Sequence, residues 1–501
     1  MALENRVKLI IDTGKMWSGV LISQLIAVLR GIIIPRLLSP IDYGIIGALS
    51  LPVNYSQYLD LGFHRTMKRE IPRLAGKGDE EGIERVKGGT MRVNIFTVII
   101  YSIALLFYGI LFVRNRVVLL GLVAIIIFIL FSRFQQFLRT IFESRQRFGV
   151  VSFSNILFAI LTLIILIPLV YLKGLIGYFI GIVFCGIIVF LYLFLKREER
   201  IPLGSDWSTI KSLSKIGIPM FLMGIGGTLL TTIDRIMVIK FLSRADLGFY
   251  TMAGTVALFL ISLPANVSKV IGPTIFETWG RYEDINRLKL FALKPISSIT
   301  VITGLTISTT ILLMPIIFQV LLPRYMPAVY PCAILLLGVY IRSTGVGIGE
   351  VLIALNKQMK MFMFQSICLA IAMGLIYYFI HNEWGLIGVA LGEVITLFIY
   401  YVILFSYTGC LLNFNWEDIL WLIFDTLLPL SVFAIATYYI MNNILSPPYV
   451  DIQGFHPHII VALKRMGILI ITSIPLFVYA QWRSRFFTTL FAGLKTILKR
   501  R

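Results

Sequence analysis

Five ionisable residues fall deep inside strongly apolar stretches of the sequence: Arg30, Asp234, Arg235, Arg342 and Glu393. At a rise of about 1.5 Å per residue, each lies about 10–20 Å from the outer end of its helix. A charged side chain at that depth in a bilayer is costly, and it usually faces a cavity, a partner or water. Because a guanidinium holds a phosphate through paired hydrogen bonds, the three arginines predict a site for an anion.

Two further basic residues, Arg65 and Lys269, lie nearer the ends of their helices. Together with the three deep arginines they give a predicted cationic substrate-binding cavity, formed by Arg30, Arg65, Arg235, Lys269 and Arg342. For Arg65 and Lys269 the alternative is that the side chain snorkels toward the lipid headgroups.

Asp234 and Glu393 are the candidate ligands of a coupling cation. A carboxylate that binds an ion in one conformational state and releases it in the other can shift a transport equilibrium. The alternative for Asp234 is a structural pair with a cation on another helix, or contact with a chain of water molecules. Glu393 has an alternative partner in Arg342.

The composition places these residues in a membrane. Hydrophobic residues make up 58% of the sequence and charged residues 14%, and the mean hydropathy is +0.89. The net charge of +20 would suit a nucleic-acid partner. However, the basic residues concentrate in loops between apolar spans, which is typical of membrane orientation, so no nucleic acid is expected.

The apolar stretches are long enough to cross a bilayer as helices, for which about 20 residues suffice. We predict an all-α polytopic membrane protein with about 14 transmembrane helices. The predicted spans are 16–38, 42–68, 90–113, 117–141, 149–171, 175–196, 213–241, 246–275, 291–321, 328–354, 359–381, 385–409, 417–442 and 459–481.

An internal duplication organises these spans. The string LSPIDYG at Leu38–Gly44 recurs as LSRADLG at Leu242–Gly248, an offset of 204 residues. The string GLIG at 174–177, followed by Gly181, recurs at 385–388, followed by Gly392, an offset of 211 residues. Duplicated halves in membrane transporters commonly enclose a binding site at their interface. In each copy, the Ser and Asp of the first string predict a helix N-cap.

An even number of spans per copy predicts two parallel six-helix lobes plus two extra C-terminal helices. The predicted parts are an N-lobe (1–196, helices 1–6), a cytoplasmic inter-lobe linker (197–212), a C-lobe (213–410, helices 7–12), helices 13–14 (411–481) and a basic amphipathic cytoplasmic tail (482–501). The loops rich in Lys and Arg place both termini in the cytoplasm.

Three longer strings carry a resemblance to a known family: IIIPRLLSPIDYGIIGAL, LDLGFHRTMKREIPRLAGKGD and TTIDRIMVIKFLSRADLGFYTMAG. They resemble the polysaccharide-transporter branch of the multidrug/oligosaccharidyl-lipid/polysaccharide exporter superfamily, which includes O-antigen and other lipid-linked oligosaccharide flippases. The resemblance covers nearly the whole chain. It implies a cationic central cavity, alternating access, and drive by a sodium or proton gradient, and it supports Arg30, Arg65, Arg235 and Lys269 as cavity cations.

The resulting prediction is a flippase of the cytoplasmic (inner) membrane for a lipid-diphosphate oligosaccharide. Its expected partners are the lipid-linked anionic substrate, Na⁺ or H⁺, membrane lipids and the polysaccharide polymerase machinery. No bond is broken in flipping, so no catalytic residue, metal or cofactor is expected.

Two alternatives remain open. A multidrug exporter of the same superfamily would favour an acidic, aromatic cavity over one with three arginines. A membrane enzyme of polysaccharide assembly would carry catalytic carboxylates or histidines on a large extramembrane loop, and the longest outer loop, about 443–458, is short for that.

Overall fold

The structure, a computed structural model, describes residues 22–145, 147–197, 206–440 and 455–484. Side chains at some of these positions, Lys269 and 455–463 among them, are not described, and the predicted tail falls almost wholly outside the described residues. The described chain contains helices and no strands. Ten of its helices are long and apolar enough to cross a membrane, or eleven if one bent pair is a single span. The prediction of an all-α polytopic membrane protein is confirmed.

The helices follow one another along the chain with short connections. They are α1 (22–37), α2 (Pro40–Ser56), α3 (Phe63–Ala75), α4 (Glu80–Phe112), α5 (Arg116–Ser144), α6 (Phe148–Leu161), a π-helical segment (Thr162–Leu166), α7 (Ile167–Leu195), α8 (Trp207–Leu230), α9 (Ile233–Phe241), α10 (Arg244–Tyr282), α11 (Ile285–Leu321), a 3₁₀ turn (Pro323–Ala328), α12 (Val329–Thr344), α13 (Ile348–Ala354), α14 (Gln358–His381), α15 (Gly385–Leu411), α16 (Trp416–Tyr439) and α17 (Phe455–Ser484).

Every predicted span overlaps at least one of these helices, but three spans are interrupted. The predicted span 42–68 breaks between α2 and α3, the span 213–241 between α8 and α9, and the span 328–354 between α12 and α13. In addition, α8 is bent by 50° between Trp207–Lys215 and Gly217–Leu230. Such breaks are tolerated in a membrane where the freed backbone groups find partners inside the protein.

The first copy of the duplicated glycine string builds a reversal between two predicted spans. The run Phe148–Leu195 holds 48 residues in succession, about twice what one crossing needs. Gly174 lies inside it with non-helical angles, φ 56° and ψ −132°. A Cβ atom on Gly177 would stand 1.9 Å from the carbonyl oxygen of Leu169. The two arms of the reversal therefore pack backbone against backbone.

The second copy of the string builds the same local structure between α14 and α15. Gly385 has φ +53°, close to the +56° of Gly174. A Cβ on Gly388 would stand 2.6 Å from the Cβ of Phe379 on the preceding helix. The repeated glycines thus serve one purpose in both copies, which is a close helical reversal.

The repeated Ser–Asp pairs also form matching caps. The Ser39 hydroxyl accepts the backbone N–H of Asp42 at 3.1 Å and donates to its carboxylate at 2.7 Å. Ser243 and Asp246 repeat both bonds, at 3.1 and 2.6 Å. Since a capping side chain satisfies an amide that the first helical turn leaves free, the predicted capping role is confirmed.

The chain divides into two compact units, Met1–Thr232 and Ile233–Arg501. In the first, α8 packs against α2, α3 and α4. In the second, α9 packs against α10, α14 and α15. The division falls in the break between α8 and α9, so each half of the predicted seventh span belongs to a different unit. That the two six-helix lobes superpose in parallel stays a prediction.

Each unit has its own apolar core. In the first, α3 buries Phe63, Met67 and Ile71 at a spacing of four residues, which is one face of a helix. In the second, α16 and α17 pack on α11, where Phe433 fills the space over Gly304. This packing fixes the helices that carry the ionisable residues.

The glycine reversal yields a stability prediction. We expect Gly177→Ala to destabilise the protein by about 1–3 kcal/mol, because the added methyl group meets a backbone carbonyl that cannot move aside. Thermal unfolding in detergent, followed by intrinsic fluorescence, would show a lower Tm. Gly149→Ala is the matched control, since nothing lies within 4 Å of the added atom. Equal melting temperatures for the two variants would contradict the backbone contact.

Candidate functional site

A cavity of about 280 Å³ lies in the first unit, lined by residues of α1, α5 and α6. Two guanidinium groups, from Arg30 and Arg139, share its wall with the amides of Gln24 and Asn155. Both arginines are half-buried. The Arg139 Nε is buried without a hydrogen-bond partner among the described residues. The cavity therefore offers free donors to a ligand that brings acceptors.

A π-helical segment begins at the edge of this cavity. Thr162 lines the cavity, opens the segment Thr162–Leu166, and donates its hydroxyl to the Ala159 carbonyl at 2.6 Å. Pro168 follows in the first turn of α7 and has no N–H to give to the carbonyl of Ile164. The missing bond explains why the helix widens here, and such π-segments recur at functional sites.

The second unit holds a buried cluster of two carboxyl groups and a phenol. Asp234 is 3% exposed and Glu393 8%, while Tyr250 is fully buried. The Tyr250 hydroxyl donates to Glu393 Oε2 at 3.1 Å. Asp234 lies within side-chain hydrogen-bonding reach of both. Two carboxyl groups this close must share a proton, hold a cation or face compensating cations.

Two arginines accompany these carboxyl groups. Arg342 lies in electrostatic range of Glu393 and contacts the Tyr401 hydroxyl. Arg235 is 8% exposed, and its guanidinium Nη2 stands only 2.7 Å from where a Cβ on Gly254 would be. Gly254 is therefore the residue that lets Arg235 lie against α10. The second unit thus places cations beside its buried carboxyl groups.

The predicted site residues separate into three groups. Arg30 lines the first-unit cavity, while Asp234, Glu393 and Arg342 come together in the second unit beside Arg235. Arg65 is exposed on α3, away from the cavity, as the snorkelling alternative expects. The Lys269 side chain lies outside the described part of the structure. The binding roles of all these residues stay predictions.

Sequence reasoning missed Arg139, Asn155 and Tyr250. Arg139 lies two residues before the end of the predicted span 117–141, and α5 continues past that point to Ser144. Tyr250 was present in the quoted string around Leu242–Tyr250 but was not singled out. Its partner Glu393 is 143 residues away, so only the fold shows the contact.

Comparison with known proteins identifies the family. The model for "Polysaccharide biosynthesis protein" matches residues 12–279, more than half of the chain. A comparison with curated proteins finds no match.

Solved structures with the same fold are membrane transporters. An inward-facing multidrug resistance MATE family transporter of the MOP superfamily has a TM-score of 0.68 at 14% identity, over 78% of this chain and 94% of that one. The lipid II flippase MurJ, in an inward closed conformation, has a TM-score of 0.68 at 16% identity, over 91% and 97%. A MOP superfamily transporter from Pyrococcus furiosus has a TM-score of 0.62 at 15% identity, over 81% and 96%. At these identities the likeness establishes the fold alone.

A double-mutant cycle tests the hydrogen bond between Tyr250 and Glu393 in the second-unit cluster. Tyr250→Phe removes a buried hydrogen bond to a carboxyl group, and we expect it to destabilise the protein by about 1.5–3 kcal/mol. In a Glu393→Gln background the same change should have a smaller effect, because the charged acceptor is gone. Thermal unfolding of the four proteins in detergent measures this interaction energy.

The control cycle pairs Glu393→Gln with Tyr101→Phe. Tyr101 donates its hydroxyl to the Pro52 carbonyl at 3.0 Å, in the first unit, so these two changes should be additive. Additivity in the Tyr250 cycle as well would show that the Tyr250–Glu393 bond contributes nothing.

Proposed function

Because the chain belongs to the polysaccharide biosynthesis protein family, we propose that it is a flippase that moves a lipid-diphosphate-linked oligosaccharide across the cytoplasmic membrane by alternating access. The direction is from the cytoplasmic to the outer leaflet. The observation that carries this proposal is the first-unit cavity, in which Arg30 and Arg139 supply two guanidinium groups beside amide and hydroxyl side chains.

The chemistry of this cavity suits a sugar diphosphate. Guanidinium groups bind phosphate oxygens through charge-assisted bonds, and the amides of Gln24 and Asn155 suit the hydroxyl groups of a sugar. The volume of about 280 Å³ lies just below the range of about 300–1,000 Å³ for small-molecule pockets. In our proposal the cavity takes the diphosphate and the adjoining sugar, while the lipid tail stays in the bilayer.

The second-unit cluster is proposed to bind the coupling cation. Asp234 and Glu393 supply adjacent carboxyl groups, and the Tyr250 hydroxyl orients one of them. A proton shared between the carboxyl groups or a sodium ion between them would relieve their repulsion. A ligand shifts a conformational equilibrium only by its differential affinity for the two states, and this cluster offers a group whose charge changes when the ion leaves.

A multidrug exporter is the second candidate, because a multidrug transporter and a lipid flippase match the fold with the same TM-score, 0.68. Organic cations bind best to carboxylates and aromatic faces. The two guanidinium groups in the first-unit cavity disfavour such a cargo. The same reconstituted protein distinguishes the two functions when it is offered a cationic dye and a lipid-diphosphate sugar in parallel.

We expect Arg30→Gln and Arg139→Gln to impair flipping of a fluorescent undecaprenyl-diphosphate sugar in proteoliposomes. Each loses a charge-assisted hydrogen bond of about 1.5–3 kcal/mol, which should raise the half-saturating substrate concentration by about 10- to 100-fold. Flipping is measured as protection of the sugar from a reagent on one side.

Arg116→Gln is the matched control for charge, since Arg116 is exposed at the first turn of α5. It should flip like the unaltered protein. Normal flipping by both cavity variants, or transport of the dye but not of the lipid, would overturn the anionic-cargo assignment.

We expect Asp234→Asn to abolish the dependence of flipping on the driving cation gradient, because an amide cannot bind and release the ion. Flipping is measured with a sodium gradient alone and with a proton gradient alone. The gradient that the unaltered protein responds to, and the variant ignores, identifies the ion.

Asp425→Asn is the control for loss of a buried carboxylate from the same unit. Asp425 is 3% exposed and accepts hydrogen bonds from Tyr479 and Arg483, so its removal should lower stability and leave the ion dependence intact. An unchanged gradient response in Asp234→Asn would leave Asp234 as a structural residue.

A further inference from the structure

A second group of buried ionisable residues surrounds the break between α2 and α3. Leu61 and Gly62 occupy the left-handed region there, with φ of 50° and 82°. On either side stand Asp60 and His64, each 5% exposed. Asp60 Oδ2 accepts the backbone N–H of His64 at 2.8 Å and lies 3.1 Å from its Nδ1. The contact with Asp60 fixes the proton of neutral His64 on Nδ1 and leaves Nε2 as an acceptor.

Helices α4 and α5 complete this group. Arg133 on α5 is 7% exposed and lies in electrostatic range of Asp60. Phe137, one turn further on, has its ring centroid 6.3 Å from that of His64. Asn94 on α4 is 1% exposed and its amide lies 3.5 Å from the Arg133 carbonyl. Asp60, His64, Asn94 and Arg133 are called the Asp60 cluster below.

The Asp60 cluster contains free donors and free acceptors. Nε2 of His64, Nε and Nη1 of Arg133, and Oδ1 of Asn94 are buried without hydrogen-bond partners among the described residues. A buried polar atom without a partner is destabilising, so this arrangement is too unfavourable to serve packing alone. The atoms are complementary, since one bridging water satisfies a donor and an acceptor together.

The unpartnered atoms suit both protonation states of His64. Neutral His64 presents an acceptor at Nε2, which suits the free N–H groups of Arg133. Protonated His64 presents a donor at Nε2, which suits Oδ1 of Asn94. The charges of Asp60 and Arg133 cancel, so one proton takes the group from neutral to singly positive. Helix α8 faces the break with Gly217, Gly224 and the hydroxyl of Thr228, none of which carries a charge, and α4 carries the buried cation Lys87.

We propose that the Asp60 cluster is a proton-binding site of the first unit, distinct from the Asp234–Glu393 pair, and that protonation of His64 controls the break between α2 and α3. An imidazolium binds the Asp60 carboxylate more strongly than a neutral ring does, and so holds the break closed. Leu61 is a non-glycine residue in a left-handed conformation that costs about 1–2 kcal/mol. The break is therefore held by a contact whose strength depends on the proton.

The break also contacts the bend of α8. A Cβ on Gly62 would stand 2.3 Å from the carbonyl oxygen of Gly217, which is the residue at the 50° bend of α8. The two backbones are in direct contact, so a change at Gly62 displaces the bend.

The test is a titration of His64 by nitrogen NMR in the full-length protein, labelled at histidine and reconstituted in nanodiscs without cargo. The chain has four histidines, and His64→Gln assigns the signal. We expect His64 to change reversibly from the Nδ1–H tautomer to the imidazolium as the pH is lowered. Asp60→Asn and Arg133→Gln should move this transition in opposite directions, because the first removes a neighbouring anion and the second a neighbouring cation.

His381→Gln is the control, since His381 is exposed on α14, and it should leave the His64 midpoint unchanged. A His64 that stays in one protonation state from about pH 5 to 9 in the unaltered protein overturns the proposal, whether or not the variants fold. The titration needs no cargo, so its failure is distinguishable from failure of the flippase assignment.

A second measurement separates a proton site from a purely structural role. In the flipping assay, the unaltered protein should change rate with pH over the His64 titration range, and His64→Gln should lose that pH dependence. A uniform loss of rate at every pH, with the profile unchanged, would overturn the proposal and leave His64 as a packing residue.

Discussion

The cost of an unpaired charge in hydrocarbon explains the surroundings of the buried carboxyl groups in the described part of the protein. Asp425 shows this most plainly, because Tyr479 and Arg483 both bond its carboxylate from the neighbouring helix α17. The guanidinium groups are less fully satisfied, since the Nε atoms of Arg133 and Arg139 are buried without a hydrogen-bond partner among the described residues. Arg139 also lines the first-unit cavity, so a ligand there that brings acceptors completes its hydrogen bonding.

The hydrocarbon core of the membrane also explains why two of the helix breaks lie beside buried carboxylates. A helix interrupted within a membrane must give its freed N–H groups another partner. Asp60 accepts the His64 amide at 2.8 Å after the first break. Asp234 accepts the Arg235 amide at 2.7 Å after the break between α8 and α9. The carboxylates that the sequence places in apolar spans therefore complete the backbone as well as carrying charge.

Hydroxyl groups join the helices beside those breaks. Tyr58 shares a hydrogen bond with Thr228 at 2.7 Å, and Tyr55 shares one with Thr232 at 2.6 Å. These bonds connect α2 to the C-terminal end of α8, which explains why that helix belongs to the first unit although the repeat begins a second copy near it. Polar contacts of this kind stabilise helix pairs in lipid, where apolar side chains gain little from one another.

Local chemistry could be predicted from the sequence, and long-range contacts could not. The Ser–Asp caps and the glycine reversals depend on neighbours within a few residues, so the repeated sequence motifs were enough to predict where they lie. Asp234 and Glu393 were each identified as costly in lipid, but nothing in the sequence places them side by side. Arg133 was overlooked, because its electrostatic interaction is with Asp60, which lies 73 residues earlier in the break between α2 and α3.

The predicted repeat carries unlike residues at matching places in its two copies. Arg30 and Asp234 lie 204 residues apart, which is the offset of the repeated string, so one copy carries a fixed cation where the other carries a carboxylate. If the cargo is a diphosphate, the membrane potential favours its export, at about 2.3 kcal/mol per charge and 100 mV. Inverting a two-state equilibrium from 1:99 to 99:1 takes about 5.5 kcal/mol. A cargo with two negative charges gains about 4.6 kcal/mol from a potential of about 100 mV, which is most of that figure.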